Sequence, residues 1–185
     1  MRLPLITVTL ILSAYSLIAQ TSNVTQWKLN SNESSISFIA KNLSMNVSGK
    51  ITGMKVQTDY SPTNILSSLF EGSVDVATID TNISLRDNHL RSPDYFDAKK
   101  YPKISFKSKS ISEEGSVLAV VGDLTIKGVT KEVKILFTVK RDVVYHKFIG
   151  DITIQRKDFH IGSNSTLIMA DVVKIRIFIV VILNR

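Results

Sequence analysis

Residues 86–106 read RDNHLRSPDYFDAKKYPKISF, a stretch that concentrates two arginines, one histidine, three aspartates and the rings of Tyr95, Phe96, Tyr101 and Phe106. A histidine beside carboxylates has the chemistry to hold a metal or to move protons. A metal centre needs three or four converging ligands, however, and the three histidines (His89, His146 and His160) fall on separate segments. No His-Glu-x-x-His, Gly-x-Ser-x-Gly, phosphate loop or dinucleotide fingerprint accompanies them. The chain has no cysteine, which excludes disulfides, thiolate metal sites and thiol nucleophiles. The sequence therefore names no catalytic residue, no metal ligand and no cofactor.

The same residues read more fully as architecture. Asp87 is placed to cap a short turn over residues 88–91. Ser92 is placed to cap a second, with Pro93 at its first helical position and Asp94 near the positive end of its dipole. Pro102 ends that turn, because the residue before a proline is pushed toward extended geometry. Leu90, Tyr95, Phe96 and Tyr101 then form the apolar side of a helical lid, with Arg86, Asp87, Arg91 and Asp97 pairing around it.

What the lid covers is set by the rest of the chain, whose dominant period is two. Ile36 and Phe38, Met54 and Val56, Val74 and Val76, Ile104 and Phe106, and Leu124 and Ile126 are each separated by one residue of mostly polar type. Val133, Ile135 and Phe137, then Ile152 and Ile154, then Val173, Ile175, Ile177 and Ile179 continue the pattern. Such alternation gives each strand one apolar face, and it predicts about eight strands. Gly128 sits between two such runs, where a residue free to adopt positive φ closes a hairpin. Antiparallel strands of this kind close into a barrel or stack as a sandwich. Closure removes exposed edges, and about eight strands leave room for one small ligand. The last strand, residues 172–183, is apolar on both faces apart from Lys174 and Arg176. The lid is the candidate cover for its second face.

Residues 1–19 read as a signal peptide: Arg2 precedes an apolar run, and cleavage after Ala19 leaves Gln20 at the new terminus. Residues 20–185 form one domain, exported to the periplasm or secreted. The net charge of +7 comes from lysines dispersed through the strands, which indicates a solvated basic surface and not a nucleic-acid interface.

Three long motifs resemble one family. The segment SLRDNHLRSPDYFDAKKYPKISFKS is similar to the signature of the YceI-like exported bacterial proteins. VVGDLTIKGVTKEVKILF resembles that family's hairpin, and GDITIQRKDFHIG resembles its Arg-x-Asp-Phe-Gly-Ile motif, with His160 in place of the usual glycine. The resemblance covers residues 26–183. It implies a lipocalin-like antiparallel β-barrel that binds polyisoprenoid or other long-chain lipid and is not catalytic. On this reading the motif residues, Arg156 and Asp158 among them, are mostly architecture.

The reading that results is an all-β, lipocalin-like barrel holding a long-chain apolar lipid, a polyisoprenoid or isoprenoid quinone, for sequestration or transport. Its ligand-facing candidates are Ile36, Phe38, Met54, Val56, Val74 and Val76 from the first half of the chain. From the second half they are Phe106, Leu124, Ile126, Ile135, Phe137, Ile152, Ile154, Ile175 and Ile177. Arg86, Arg91 and Arg156 could hold a head group at the mouth or serve structural ion pairs. The alternative is a filled barrel that acts as a stress-related or protein-interaction module. Transient membrane contact and a homodimer stay open.

Overall fold

The computed structural model describes residues 27–42, 45–58, 64–162 and 169–183. The signal-peptide reading of residues 1–19 lies outside them. The alternating runs form ten antiparallel strands where about eight were expected. They are β1 (Trp27–Leu29), β2 (Ser35–Asn42), β3 (Met45–Ile51), β4 (Lys55–Thr58), β5 (Phe70–Asp75), β6 (Lys103–Glu114), β7 (Val117–Ile126), β8 (Val129–Arg141), β9 (Tyr145–Gln155) and β10 (Met169–Leu183). The surplus arises because short strands flank the long ones. β1 and β2 both lie along one edge of β10, Trp27 opposite Leu183 and Ile36 opposite Ile177. Between them the chain turns at residues 30–34, where the Asn30 N–H donates to the Val180 carbonyl at 2.8 Å.

The sheet runs β3-β2-β10-β9-β8-β7-β6-β5-β4, with β1 on β10, and curls into a half-barrel. Its two ends, β3 and β4, are consecutive in the chain yet share no ladder. At its Ile51 end β3 bonds instead to residues 78–80. The Thr52 N–H donates to Thr78 Oγ1 at 2.9 Å, and Lys50 and Asp80 form an isolated antiparallel bridge. Below, β1 approaches β4.

The β7–β8 hairpin forms at Gly128 as expected. Lys127 (φ 50°) and Gly128 (φ 76°) both take positive φ, the backbone of a two-residue turn whose twist matches its strands.

Residues 76–102 leave the sheet between β5 and β6, cross one end of the barrel and return. The Val76 N–H bonds the Pro102 carbonyl at 2.9 Å and ties the base of this excursion. It contains the 3-10 turn Val76–Thr78 and the helix α1 (Ser84–Leu90). Val76 is thus buried in a turn and does not extend β5, a correction to the alternation reading. Leu90 packs with Ile51, Val74, Val76 and Ile79, while Tyr95 and Phe96 bridge to a second cluster of Ile126, Ile154, Phe159 and Ile161. The lid of aromatic and aliphatic side chains is present, but its capping differs from expectation. Asp87 lies inside α1, accepting from the Thr81 N–H at 2.9 Å, and Ile83 holds the N-cap position. Ser92 contributes its carbonyl, which accepts from Tyr95 and Asp97, while its hydroxyl is buried without a hydrogen-bond partner among the described residues. Arg86 and Arg91 turn to Thr81, Asn88 and the Ile79 carbonyl, not to the aspartates.

The lid plugs the barrel end and does not cover the outer face of β10, where Val172 and Ile182 are exposed while Val180, bonded to Asn30 and Ser34, is buried. Two further bonds hold the lid down, at Pro93 and Asp94, and a third ties Lys127 to His160. Lys127 Nζ donates to the carbonyls of Pro93 (2.8 Å) and His160 (2.9 Å), and the Gly162 N–H donates to Asp94 O at 2.9 Å. His160 itself adopts φ 53°, ψ 38°. The loop keeps the left-handed geometry that glycine would take freely and carries a strain of about 1–2 kcal/mol.

Candidate functional site

The interior is solid at one end and hollow in the middle. At the end remote from the lid, Phe70, Ile111, Leu118, Val120, Phe148 and Val181 pack into a continuous core. Phe148 meets Phe70 edge-on at 5.4 Å between ring centroids. Between this core and the lid lies a cavity of about 140 Å³.

The cavity exists because the large rings are drawn to the wall. Phe137 faces Gly150 across the β8–β9 ladder, and Phe106 lies over Gly122 of β7. A Cβ at Gly150 would stand 2.7 Å from Phe137 Cε1, and one at Gly122 would stand 2.6 Å from Phe106 Cζ. Each ring therefore occupies the space that a neighbouring side chain would fill, and the middle of the barrel loses that volume. Gly72 adds to the effect on β5, where the inward position between Phe70 and Val74 carries no side chain.

Twelve of the fifteen ligand-facing candidates line this cavity: Ile36, Met54, Val56, Val74, Phe106 and Leu124, then Ile126, Ile135, Phe137, Ile152, Ile175 and Ile177. Three do not. Phe38 borders a separate space beside α1. Val76 is consumed by the packing under the lid, and Ile154 by the cluster around Phe159. Ile51, Phe70, Ile104 and Ile179 line the cavity without having been named. Ile104 and Ile179 carry the same alternation signal as their neighbours and were legible. Ile51 and Phe70 sit at strand ends, where alternation has no second partner to show the inward face.

Charge is kept outside. Arg176 grips Asp151 with two bonds, Nε to Oδ1 at 2.8 Å and Nη2 to Oδ2 at 3.0 Å, and so holds that carboxyl below its ordinary range. Lys109 bridges Asp123 (2.6 Å) and Glu132 (3.1 Å), which raise its ammonium pKa. Arg156 is the buried exception, at 1% exposure. Its guanidinium donates to the carbonyls of Ile161 (2.8 Å), Met169 (3.1 Å) and Ala170 (3.2 Å), pinning the start of β10 to the loop before it. Among the described residues no group of three or more acidic or histidine side chains is arranged to hold a metal.

A curled antiparallel sheet with an apolar interior and a helical lid defines a lipocalin-like barrel. The YceI-like domain model matches residues 27–181, and the chain belongs to that family. A UPF0312 protein of Photorhabdus laumondii is 49% identical over 61 residues, covering 33% of this chain and 32% of its own. Protein YceI of Escherichia coli O157:H7 is 44% identical over a segment with the same coverage. The chain thus aligns with about a third of the length of these curated relatives. The crystal structure of Burkholderia cenocepacia BcnA superposes with a TM-score of 0.79 at 28% identity, covering 83% of this chain and 99% of that one. A polyisoprenoid-binding domain of Saccharophagus degradans shares the fold, with a TM-score of 0.71 at 12% identity over 86% of this chain and 99% of its own.

Proposed function

We propose that this protein is an exported, non-enzymatic lipid carrier that takes the apolar chain of a polyisoprenoid or isoprenoid quinone into the barrel for sequestration or transport. The observation that carries this reading is the cavity itself, an apolar space kept open by rings resting on glycines. Its volume of about 140 Å³ is close to that of an engineered cavity that takes up benzene. One branched chain segment therefore fits at once. A longer chain must displace lining side chains toward the seam at Ile51, Met54 and Val56. Burial gains about 25 cal/mol per Å² of apolar surface, enough for tight binding of a long chain without polar recognition. The polyisoprenoid-binding character of the Saccharophagus domain supports the same reading.

Mass spectrometry of a solvent extract from natively purified protein tests it, with a stoichiometric prenyl lipid the expected result. Protein that carries no lipid and whose melting temperature does not respond to added prenyl lipid would overturn the reading. It would favour instead a filled barrel that serves as an interaction module, a reading supported by the solid core at the end remote from the lid. The export component rests on residues 1–19. N-terminal sequencing of the secreted protein should start near Gln20, and retention of residues 1–19 on a membrane-held protein would refute it.

A further inference from the structure

The outer side of the lid carries apolar side chains that the core does not use. α1 turns Asp87 and Leu90 inward, whereas Leu85 is 82% exposed and the N-cap residue Ile83 is 51% exposed. Both border a shallow depression whose other members are Arg86 and His89. The turn-side ends of β2 and β3 adjoin this part of α1, because Lys41, Asn42 and Val47 share a small space with Arg86 and His89. Asn42 pairs with Met45, which is 70% exposed. We propose that this surface, the outside of α1 together with the ends of β2 and β3, docks the protein on an anionic phospholipid bilayer. Ile83, Leu85 and Met45 enter the acyl boundary, and Lys41 and Arg86 meet head-group phosphates. None of these residues lines the central cavity. The proposal therefore goes beyond the carrier reading and is tested apart from it.

Two observations select a bilayer as the occupant. The first is that apolar side chains and cations occur together without counter-charge. No carboxylate lines either space among the described residues. The carboxylates nearest in sequence are engaged elsewhere, Asp80 with Lys50 at 3.4 Å and Asp87 with the Thr81 N–H at 2.9 Å. Arg86 is anchored on Thr81, Nε donating to Oγ1 at 2.7 Å and Nη2 to the carbonyl at 2.8 Å, which fixes its charge beside Leu85. Apolar tips bordered by cations suit an interface that is anionic at its surface and apolar beneath. The second observation is the contrast with other strongly exposed apolar residues. Leu66 is as exposed as Leu85, yet residues 64–70 carry no charge, and Val143 directly follows Asp142. Scattered residues of that kind are ordinary surface. An acidic soluble ligand would satisfy the cations alone; a bilayer takes the apolar side chains as well.

The test exploits the absence of cysteine from the chain. Leu85→Cys and Leu66→Cys, each labelled with a polarity-sensitive fluorophore, are mixed with vesicles of phosphatidylcholine alone or of phosphatidylcholine and phosphatidylglycerol in equal parts. The protein is taken in its exported form, and the vesicles contain no prenyl lipid. The label on Leu85→Cys should shift to the blue on the anionic vesicles only, and the label on Leu66→Cys should not respond. In sedimentation with unlabelled protein, Leu85→Ser should weaken binding about tenfold and Lys41→Gln about fivefold, and salt should weaken binding of the native protein. Both side chains are exposed, and melting curves check that the variants keep the fold. Leu66→Ser, the control, should bind as the native protein does. Equal binding to neutral and anionic vesicles, or an equal response of the two labels, would overturn the docking surface. Binding that survives both Leu85→Ser and Lys41→Gln would also overturn it. No binding to either vesicle by protein that takes up prenyl lipid would overturn it too, assign the patch to a protein partner and leave the carrier reading intact.

Discussion

Phe137 rests against Gly150, its partner across the β8–β9 ladder, so closely that a Cβ on Gly150 would stand 2.7 Å from Phe137 Cε1, 2.8 Å from Cδ1 and 3.0 Å from Ile135 Cγ2. All three atoms belong to side chains that line the cavity. Gly150→Ala should therefore drive the Phe137 ring inward, not break the strand. The expected result is a loss of stability of about 1–3 kcal/mol in denaturant titration, together with weaker binding of prenyl lipid. Unchanged lipid affinity would show that the ring does not move into the space the ligand uses.

Ile152 and Ile154 share one face of β9 but differ in surroundings. Ile152 lines the cavity, whereas Ile154 is buried among Ile126, Phe159 and Ile161. Ile154→Trp should overpack that cluster and cost about 1–3 kcal/mol or more. Ile152→Trp has the cavity to enter, so the delipidated variant should lose little stability while its lipid affinity falls. Both proteins must be delipidated first, since bound lipid adds apparent stability by mass action. Equal destabilisation by the two substitutions would count against an open interior at Ile152.

At the opposite end from the lid, the Trp27 indole stacks on the His146 imidazole with centroids 4.1 Å apart and planes 28° from parallel, joining β1 to β9. His146 is 4% exposed. Burial, with Arg141 adding to it, pushes its pKa below the ordinary 6.5. Between the two values the unfolded chain binds more protons than the folded one, so stability rises with pH through that window. Folding should be fully supported above about pH 6.5 and should weaken as pH falls through the unfolded value, levelling off below the folded one. Melting curves from pH 7.5 to pH 5 should show this decline, and His146→Phe should flatten it. An equal decline in the variant would assign the pH dependence to other groups.

Arg156 holds the carbonyls of Ile161, Met169 and Ala170. Arg156→Met keeps the stem and strands those acceptors, with an expected cost of at least about 3 kcal/mol. Arg156→Lys should rescue only part of it, because an ammonium cannot reproduce the planar fork. Full stability in the lysine variant would show that charge alone suffices at this position.

Alternation along single strands determined the apolar faces of β2, β6, β8, β9 and β10. The Lys127–Gly128 turn and the position of the lid before Pro102 were also local matters, because backbone preferences act over a few residues. The motifs were sufficient for the family. The caps of the lid were not legible, since Asp87 and Ser92 had several partners within reach, and packing of Leu90 and Phe96 onto the barrel end decided which were used. Arg156 read as an ion-pairing or head-group residue because its carbonyl acceptors lie on a loop and on β10, 5 to 14 residues onward. The open seam between β3 and β4 and the hollow centre are tertiary facts. They depend on how paired strands register, setting Phe137 on Gly150 and Phe106 over Gly122, and no single strand records what stands opposite it.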